Sequence, residues 1–439
     1  MGFWLFRELS ERYTKATIIG IIAGAVIILA IKSLWPRIET RFFVRVDRIG
    51  MVGDYGLNEI PDSILKTLSG GLTTASSSGV TLPGLASSWE ATDGGKKYLF
   101  TLRPDLMWHD GTPVTNEDVN YNIQDVHVKP IGTSKVEITL PTVYAPFLVR
   151  MSRPIFRQGL IGFGPQKVIS VTKKGDKIAT LTTADAFGPI QARTEYRFYR
   201  TEALANTAYK LGQIDEIREL SSIESAYKTF ANTTIVEKDN TDRMVALYFN
   251  MSDGLLKEKS VRQALAYAVP DLPFERAISP LSKTSWAFSP AVHRYPYDPK
   301  QASKLLSNIK ESSIAGELTI TTFSQYVDVA QLIASSWKTL GFNTNVKIEN
   351  SLPQSYQILL SAHDIPIDPD QYPLWHSTQN TNITHYNNPK IDKLLEDGRQ
   401  MLRLEDRKKL YSDFARRFMD DIPALPLYYP TTYSIVRNK

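Results

Sequence analysis

The 439-residue chain contains no cysteine. That absence removes disulfides, thiolate metal sites and lipid attachment through a cysteine. Histidine is also scarce, with six in all. His376 and His385 have no acidic partner at zinc-ligand spacing, so neither a metal nor any other cofactor is expected. Long runs of one charge are missing. The 51 Lys and Arg nearly balance 46 Asp and Glu, for a net charge of +5 spread thinly along the chain. Without a dense basic block, a nucleic-acid partner is not expected; a weak pull toward anionic lipid surfaces remains. Several catalytic and nucleotide signatures are absent too. The chain has no Walker motif, no dinucleotide-binding glycine pattern, no EF-hand loop and no Gly-x-Ser-x-Gly elbow.

What is present fits a globular protein. Apolar residues make up 42% and charged residues 22%, and the length favours two bodies with separate cores. Residues 16–31 read ATIIGIIAGAVIILAI, uncharged and free of proline. Extended through Lys32 and Trp35, the stretch reaches about 20 residues, enough for a membrane span of ~30 Å. Lys32 can snorkel and Trp35 suits the interface. A cleaved signal peptide is the alternative, but no small-x-small cleavage site follows the apolar run, so it reads as an uncleaved anchor. Arg7, Arg12 and Lys15 precede it, while Arg37, Arg41, Arg45 and Arg48 follow. Charge therefore leaves its orientation open.

Beyond the anchor, strands and helices alternate irregularly, which predicts an α/β class. Alternation predicts strands over 43–51, 97–103 and 135–140, a hairpin over 168–182, and strands over 194–199, 244–250, 317–322 and 343–348. Helices are expected to 68 from the 57–61 segment, over 204–211, 223–230, 260–269 and 327–340, after Asn388-Pro389, and over 404–419. Another helix is expected to start at Thr115, where Thr115 and Asp118 fit a capping box. The small, polar stretch 72–83 reads as a loop, and 423–435 as extended chain.

The most specific stretch is 81–118. It contains Leu85-Ala-Ser-Ser-Trp89, a turn at Asp93-Gly94-Gly95, a strand to Arg103, and Trp108-His109-Asp110-Gly111-Thr112-Pro113. It resembles the signature of the family 5 extracytoplasmic solute-binding proteins, the oligopeptide- and dipeptide-binding subunits of ABC importers. Later segments resemble the same family in the same order: Gly212-Gln-Ile-Asp215, Phe249-Asn250 followed by Val261-Arg-Gln-Ala264, Asp368-Pro-Asp370, Asn388-Pro389 and Pro426-Leu427-Tyr428-Tyr429. The resemblance runs from about residue 43 onward.

That resemblance implies a two-lobed, periplasmic-binding-protein-like α/β fold of type II, in the large cluster C form. Lobe 1 would hold 43–245 with 420–439, and lobe 2 would hold 246–419. A peptide would be enclosed between them, and an ABC permease would read the closure. The body would lie outside the membrane, 16–35 would anchor it as a transmembrane helix, and 1–15 would be cytoplasmic.

The resemblance also directs attention to ligand-contacting residues. A peptide ammonium needs a desolvated carboxylate nearby. Asp364 stands nearest the family's position for one, and Asp370 belongs to the motif that follows. Asp368-Pro369 also reads as a helix opening. Tyr372 and Trp375 would form an aromatic cleft wall, since large rings make apolar pockets with few specific contacts. Trp286 and Phe288 precede a cleft-lining region of the family, and Tyr55 follows the first strand. Each aromatic has core packing as its alternative. His109 beside Asp110 superficially suits a catalytic triad, but neighbouring residues on extended chain point apart, so a turn is the expected role.

No turnover is expected. Two other readings stay open: a non-transport peptide sensor or chaperone on the same fold, and an extracytoplasmic hydrolase using Asp364, Asp368 or Asp370 as acid and base.

Overall fold

The computed structural model describes residues 22–26, 28–29, 32, 44–188, 190, 192–307, 309 and 316–438. Apart from a few helical positions between 22 and 32, the expected membrane anchor lies outside the described residues. No helix among the described residues is long and apolar enough to cross a membrane. The chain divides into two compact units, one of 1–59 with 165–216 and one of 60–164 with 217–439.

The first unit is built on a sheet. Arg45–Val52 runs parallel to Ala192–Tyr199. The latter pairs antiparallel with Lys177–Asp185, which pairs antiparallel with Gln166–Lys174. The inward residues Ile49, Met51, Leu181 and Tyr196 are buried. The helix Glu202–Lys210 starts where Thr201 accepts from the Leu204 amide, which satisfies one of the free first-turn donors. It buries Ala205, Ala208 and Tyr209. The chain then returns to the first strand: the Asp215 amide donates to the Arg48 carbonyl at 2.7 Å, and Arg48 pairs with the Asp215 carboxylate at 3.2 Å.

The second unit holds a four-stranded and a five-stranded sheet. In the first, strands Ala86–Thr92, Lys97–Leu102, Lys135–Thr139 and His127–Ile131 lie side by side, all antiparallel. Their alternating apolar face packs Tyr98, Phe100, Val136 and Ile138 against Phe147 and Trp108. The other sheet orders Asn343–Ile348, Glu317–Thr322, Ile358–Asp364, Arg243–Phe249 and Ala424–Tyr428. Its first three strands are parallel and its last two pairings antiparallel. Arg243–Phe249 is buried from Met244 onward, as a strand covered on both faces must be. The helices Lys259–Tyr267, Val327–Lys338 and Leu404–Asp421 supply the apolar stripes that cover it. Thr233–Asp239 pairs antiparallel with Thr431–Arg437.

Four local expectations are corrected. At Thr115 only one 3-10 turn forms, Asn116–Asp118. The Asp118 carboxylate does reach back to the Thr115 amide at 2.8 Å, but it is also claimed by Arg157 at 2.8 Å and the Trp108 indole at 3.1 Å. Asn122 and Asp125 then take left-handed backbone angles, which end any helix. The 223–230 helix is likewise a short 3-10 turn, Ser225–Thr229. The 72–83 loop instead forms a small hairpin, Thr73–Ala75 against Thr81–Pro83, closed by Ser76 and Gly79. Finally, Asp368-Pro369 does not cap a helix. The following helix is Tyr372–Trp375, after Gln371, because Asp368 is held elsewhere.

His109 and Asp110 lie in a turn, and their side chains take separate partners. The His109 ring bonds the Gly164 carbonyl at 2.9 Å and the Gly162 amide at 3.3 Å. Asp110 accepts from the Thr112 amide and hydroxyl within its own turn. Only glycine fits at 162 and 164, since an added Cβ would sit 2.0 and 2.5 Å from the Leu68 and Thr67 carbonyl oxygens.

Candidate functional site

Two consecutive helices each send an arginine toward the 368–372 segment. Pro389–Gln400 begins with Asn388 accepting from the Lys390 amide, and it buries Ile391 and Leu395. Arg399 lies in its last turn. Leu404–Asp421 buries Arg407, Tyr411, Phe414, Ala415 and Phe418. That spacing is one helix stripe, so Arg407 is carried inward with its apolar neighbours.

A buried guanidinium needs a carboxylate, and Asp368 supplies it. Arg407 Nη1 donates to Oδ2 at 2.7 Å while Nη2 bonds Oδ1. Both side chains are under a tenth exposed. Arg407 Nε donates to the Gly398 carbonyl at 2.8 Å. Desolvation works against the charge, but the hydrogen bonds and charge of Asp368 hold Arg407 above the ordinary guanidinium range. Its guanidinium also lies 5.4 Å from the Trp286 ring centre and 5.3 Å from that of Tyr411.

Arg399 repeats the arrangement closer to solvent. Its Nε donates to both oxygens of Asp370, at 2.9 and 3.0 Å. Its guanidinium stacks 3.8 Å from the Tyr372 ring centre and 5.7 Å from that of Tyr144, within the range of cation–π attraction. The Tyr144 hydroxyl donates to Asp370 at 3.3 Å. Burial, then the nearby Asp370 charge, raises that phenol's pKa. The Ala145 amide donates to the Arg399 carbonyl at 2.6 Å, tying the 60–164 part of this unit to the helix. The terminal nitrogens of Arg399 make no hydrogen bond among the described residues, and its side chain is 27% exposed.

Three of the residues expected from the sequence, Trp286, Asp370 and Tyr372, therefore share one aromatic and charged network. Trp286 is half-buried, and its amide donates to the Ser78 carbonyl at 2.9 Å. The others lie apart from it. Asp364 ends its strand with its side chain 85% exposed, 3.6 Å from Arg243. Phe288 is half-buried, its amide bonded to the Ser285 carbonyl. Tyr55, in the other unit, donates its hydroxyl to the Val52 carbonyl and packs edge-on against Phe198. Trp375 lies in the core at 2% exposure, where its indole donates to Gln371 at 2.9 Å. It stacks on Tyr248 and meets Phe418 edge-on.

Arg399, Arg407 and Tyr144 escaped the sequence reading. A signal for Arg407 was available, because it falls in register with Tyr411 and Phe414 on the apolar face of an otherwise charged helix. For Tyr144 no local pattern points across a sequence separation of 226 to Asp370. The carboxylates of the network are held in ion pairs. Both oxygens of Asp368 and both of Asp370 are engaged by guanidinium groups, and Asp364 faces a different cation. Among the described residues, no group of three or more His, Asp or Glu side chains could hold a metal ion.

His363 adds a pH-sensitive element beside Trp375. Its Nδ1 bonds the Tyr248 hydroxyl, while its Nε2 is shut from solvent without a partner. Burial pushes its pKa down from 6.5 to about 4. The unfolded chain therefore takes up a proton near pH 6.5 that the folded chain refuses. Stability contributed by neutral His363 is complete above pH 6.5 and falls as pH drops toward 4, by roughly 3 kcal/mol in all. Urea denaturation across pH 4 to 7 tests this: His363→Gln flattens that part of the profile. An unchanged slope in the variant rejects the assignment.

Comparison with known proteins gives the chain a family. Residues 81–385 match the model of the bacterial extracellular solute-binding proteins, family 5 (middle region). The periplasmic murein peptide-binding protein MppA of Escherichia coli is 23% identical, over 87% of this chain and 85% of that protein. The oligopeptide-binding protein AppA of Bacillus subtilis is 24% identical, over 80% of this chain and 78% of that protein. Among solved structures, NikZ from Campylobacter jejuni, in complex with Ni(L-His), superposes with a TM-score of 0.73 at 25% identity. It covers 89% of this chain and 94% of NikZ. The substrate-binding protein CtaP from Listeria monocytogenes superposes with a TM-score of 0.77 at 23% identity, covering 90% of this chain and 94% of CtaP. This mixed α/β chain belongs to the family 5 bacterial extracellular solute-binding proteins.

Proposed function

We propose that the protein captures peptides outside the cytoplasm and delivers them to an ABC permease without altering them. The family match carries this reading, because the family consists of binding proteins and the curated relatives named above bind peptides. Engagement of the Asp368 and Asp370 oxygens by arginines supports binding over hydrolysis. In this reading the lobes expected from the sequence close over the ligand, which stabilises the closed state by contacts made only there. Trp286 and Tyr372 offer aromatic faces, and the unbonded nitrogens of Arg399 offer donors to a ligand carbonyl or carboxylate. Tyr55, Phe288 and Asp364 complete the proposed set, with Asp364 meeting the ligand ammonium. The apolar stretch 16–35 tethers the body to the membrane.

The test is a thermal shift of the full chain with a defined library of two- to five-residue peptides, followed by mass spectrometry of the recovered ligand. A peptide at 100 times its Kd stabilises by about 2.7 kcal/mol, and it is recovered intact. Tyr372→Ala weakens that binding at least tenfold, about 1.4 kcal/mol, and moves the ligand-free melting point by only a few degrees. Cleaved product rejects the reading. So does stabilisation by nickel–histidine or haem with no response to any peptide.

A further inference from the structure

The helix expected at Thr115 is replaced by irregular chain from 119 to 126, and a pocket opens beside that chain. It has a volume of about 410 Å³ and is walled by Tyr121, Ile123, Val126, Leu140 and Phe147, the size and lining of a small-molecule site. Leu140 and Phe147 belong to the buried core of the four-stranded sheet, and Tyr121 and Val126 pack against it. The wall is therefore fixed from behind. Ile123 is 43% exposed, an apolar side chain left facing an opening.

Charge gives the pocket a polarity. Arg150, at the end of the short helix Phe147–Arg150, and Arg153 both line it, and no aspartate or glutamate does. Neither arginine forms an ion pair with a carboxylate among the described residues; Arg150 meets only the Tyr144 hydroxyl. Elsewhere in this unit Arg157, Arg399 and Arg407 each pair with an aspartate. Two exposed, unpaired guanidinium groups above an apolar cavity complement one kind of ligand.

We infer that this pocket is a second binding site, for an apolar chain that ends in a carboxylate. The chain would lie against Ile123, Val126 and Phe147, and the carboxylate would bridge Arg150 and Arg153, which suit planar bidentate recognition. Such chemistry comes from a fatty acid or from the C-terminus of an apolar peptide. The site shares Tyr144 with the network around Asp370, but it uses none of the residues proposed to contact the captured peptide, so the two are tested separately.

The test is calorimetric titration of the full chain with decanoate, with acetyl-Leu-Leu-Leu bearing a free carboxylate, and with the C-terminal amide of that tripeptide. At least one carboxylate probe binds with a stoichiometry of one, and the amide binds at least tenfold more weakly. Arg150→Gln with Arg153→Gln weakens the carboxylate at least tenfold, and Ile123→Glu abolishes its binding. All three positions are exposed, so the melting point of each variant stays within a few degrees of the parent. Binding by decanoate alone assigns a fatty acid, and binding by the tripeptide alone assigns a peptide terminus. Failure of both carboxylates to bind, equal binding of acid and amide, or unchanged affinity in both variants overturns the inference.

Discussion

Arg407→Leu destabilises the protein by roughly 3–5 kcal/mol, because it strands the buried carboxylate of Asp368 without a cation. Asp368 is 7% exposed, and both of its oxygens are turned to the guanidinium. Removal also frees the Gly398 carbonyl and takes the cation from between Trp286 and Tyr411. Since a domain's total stability is about 5–15 kcal/mol, the variant loses a large share of it. Urea denaturation of the ligand-free protein measures the loss. Asp368→Asn added to Arg407→Leu recovers part of it, because the stranded charge is gone, and the double-mutant cycle shows that coupling. A single-variant loss under 1 kcal/mol, with no recovery in the double variant, would contradict the pairing described here.

Trp375→Ala is expected to cost about 3–5 kcal/mol as well, by a different route. Here the loss is of packing: the indole stacks on Tyr248, meets Phe418 edge-on and gives its only polar hydrogen to Gln371. Gln371 already has a buried amide nitrogen without a partner, so truncation leaves a second unsatisfied group there. Trp375→Phe retains most of the ring contacts and costs less. The ligand-free melting point is the decisive readout. A fall of only a few degrees in Trp375→Ala, together with weakened peptide binding, would instead place the ring at the cleft wall, as the sequence reading expects.

Trp375 shows where sequence reasoning runs out. A large aromatic just after a turn reads equally well as wall or as core, and only the surrounding chain decides. Sheets and long helices were legible because their apolar periodicity is local: 97–103, 244–250 and 404–419 all appear close to where alternation or stripe spacing puts them. The family was legible from the ordered motifs of 81–118 and beyond. The Thr115 helix was not, because its capping acid is shared with Arg157 and Trp108, which are distant in sequence or orientation and invisible to a local rule. The same holds for Asp368 and Asp370. Their spacing mimics a helix start, yet their partners lie 39 and 29 residues downstream.

The parallel pairing of Arg45 with Ala192 has a kinetic consequence. The first strand leaves the ribosome early but has no neighbour until the chain returns much later. Bringing such distant segments together costs loop-closure entropy and slows folding. The intervening insertion offers a shortcut, since the Gly164 amide donates to the Leu68 carbonyl at 2.8 Å and so draws its two ends close. If that insertion matures first, the effective loop loses nearly all of 68–164 and keeps the segments on either side of it. The strand synthesised earliest would then be among the last to dock.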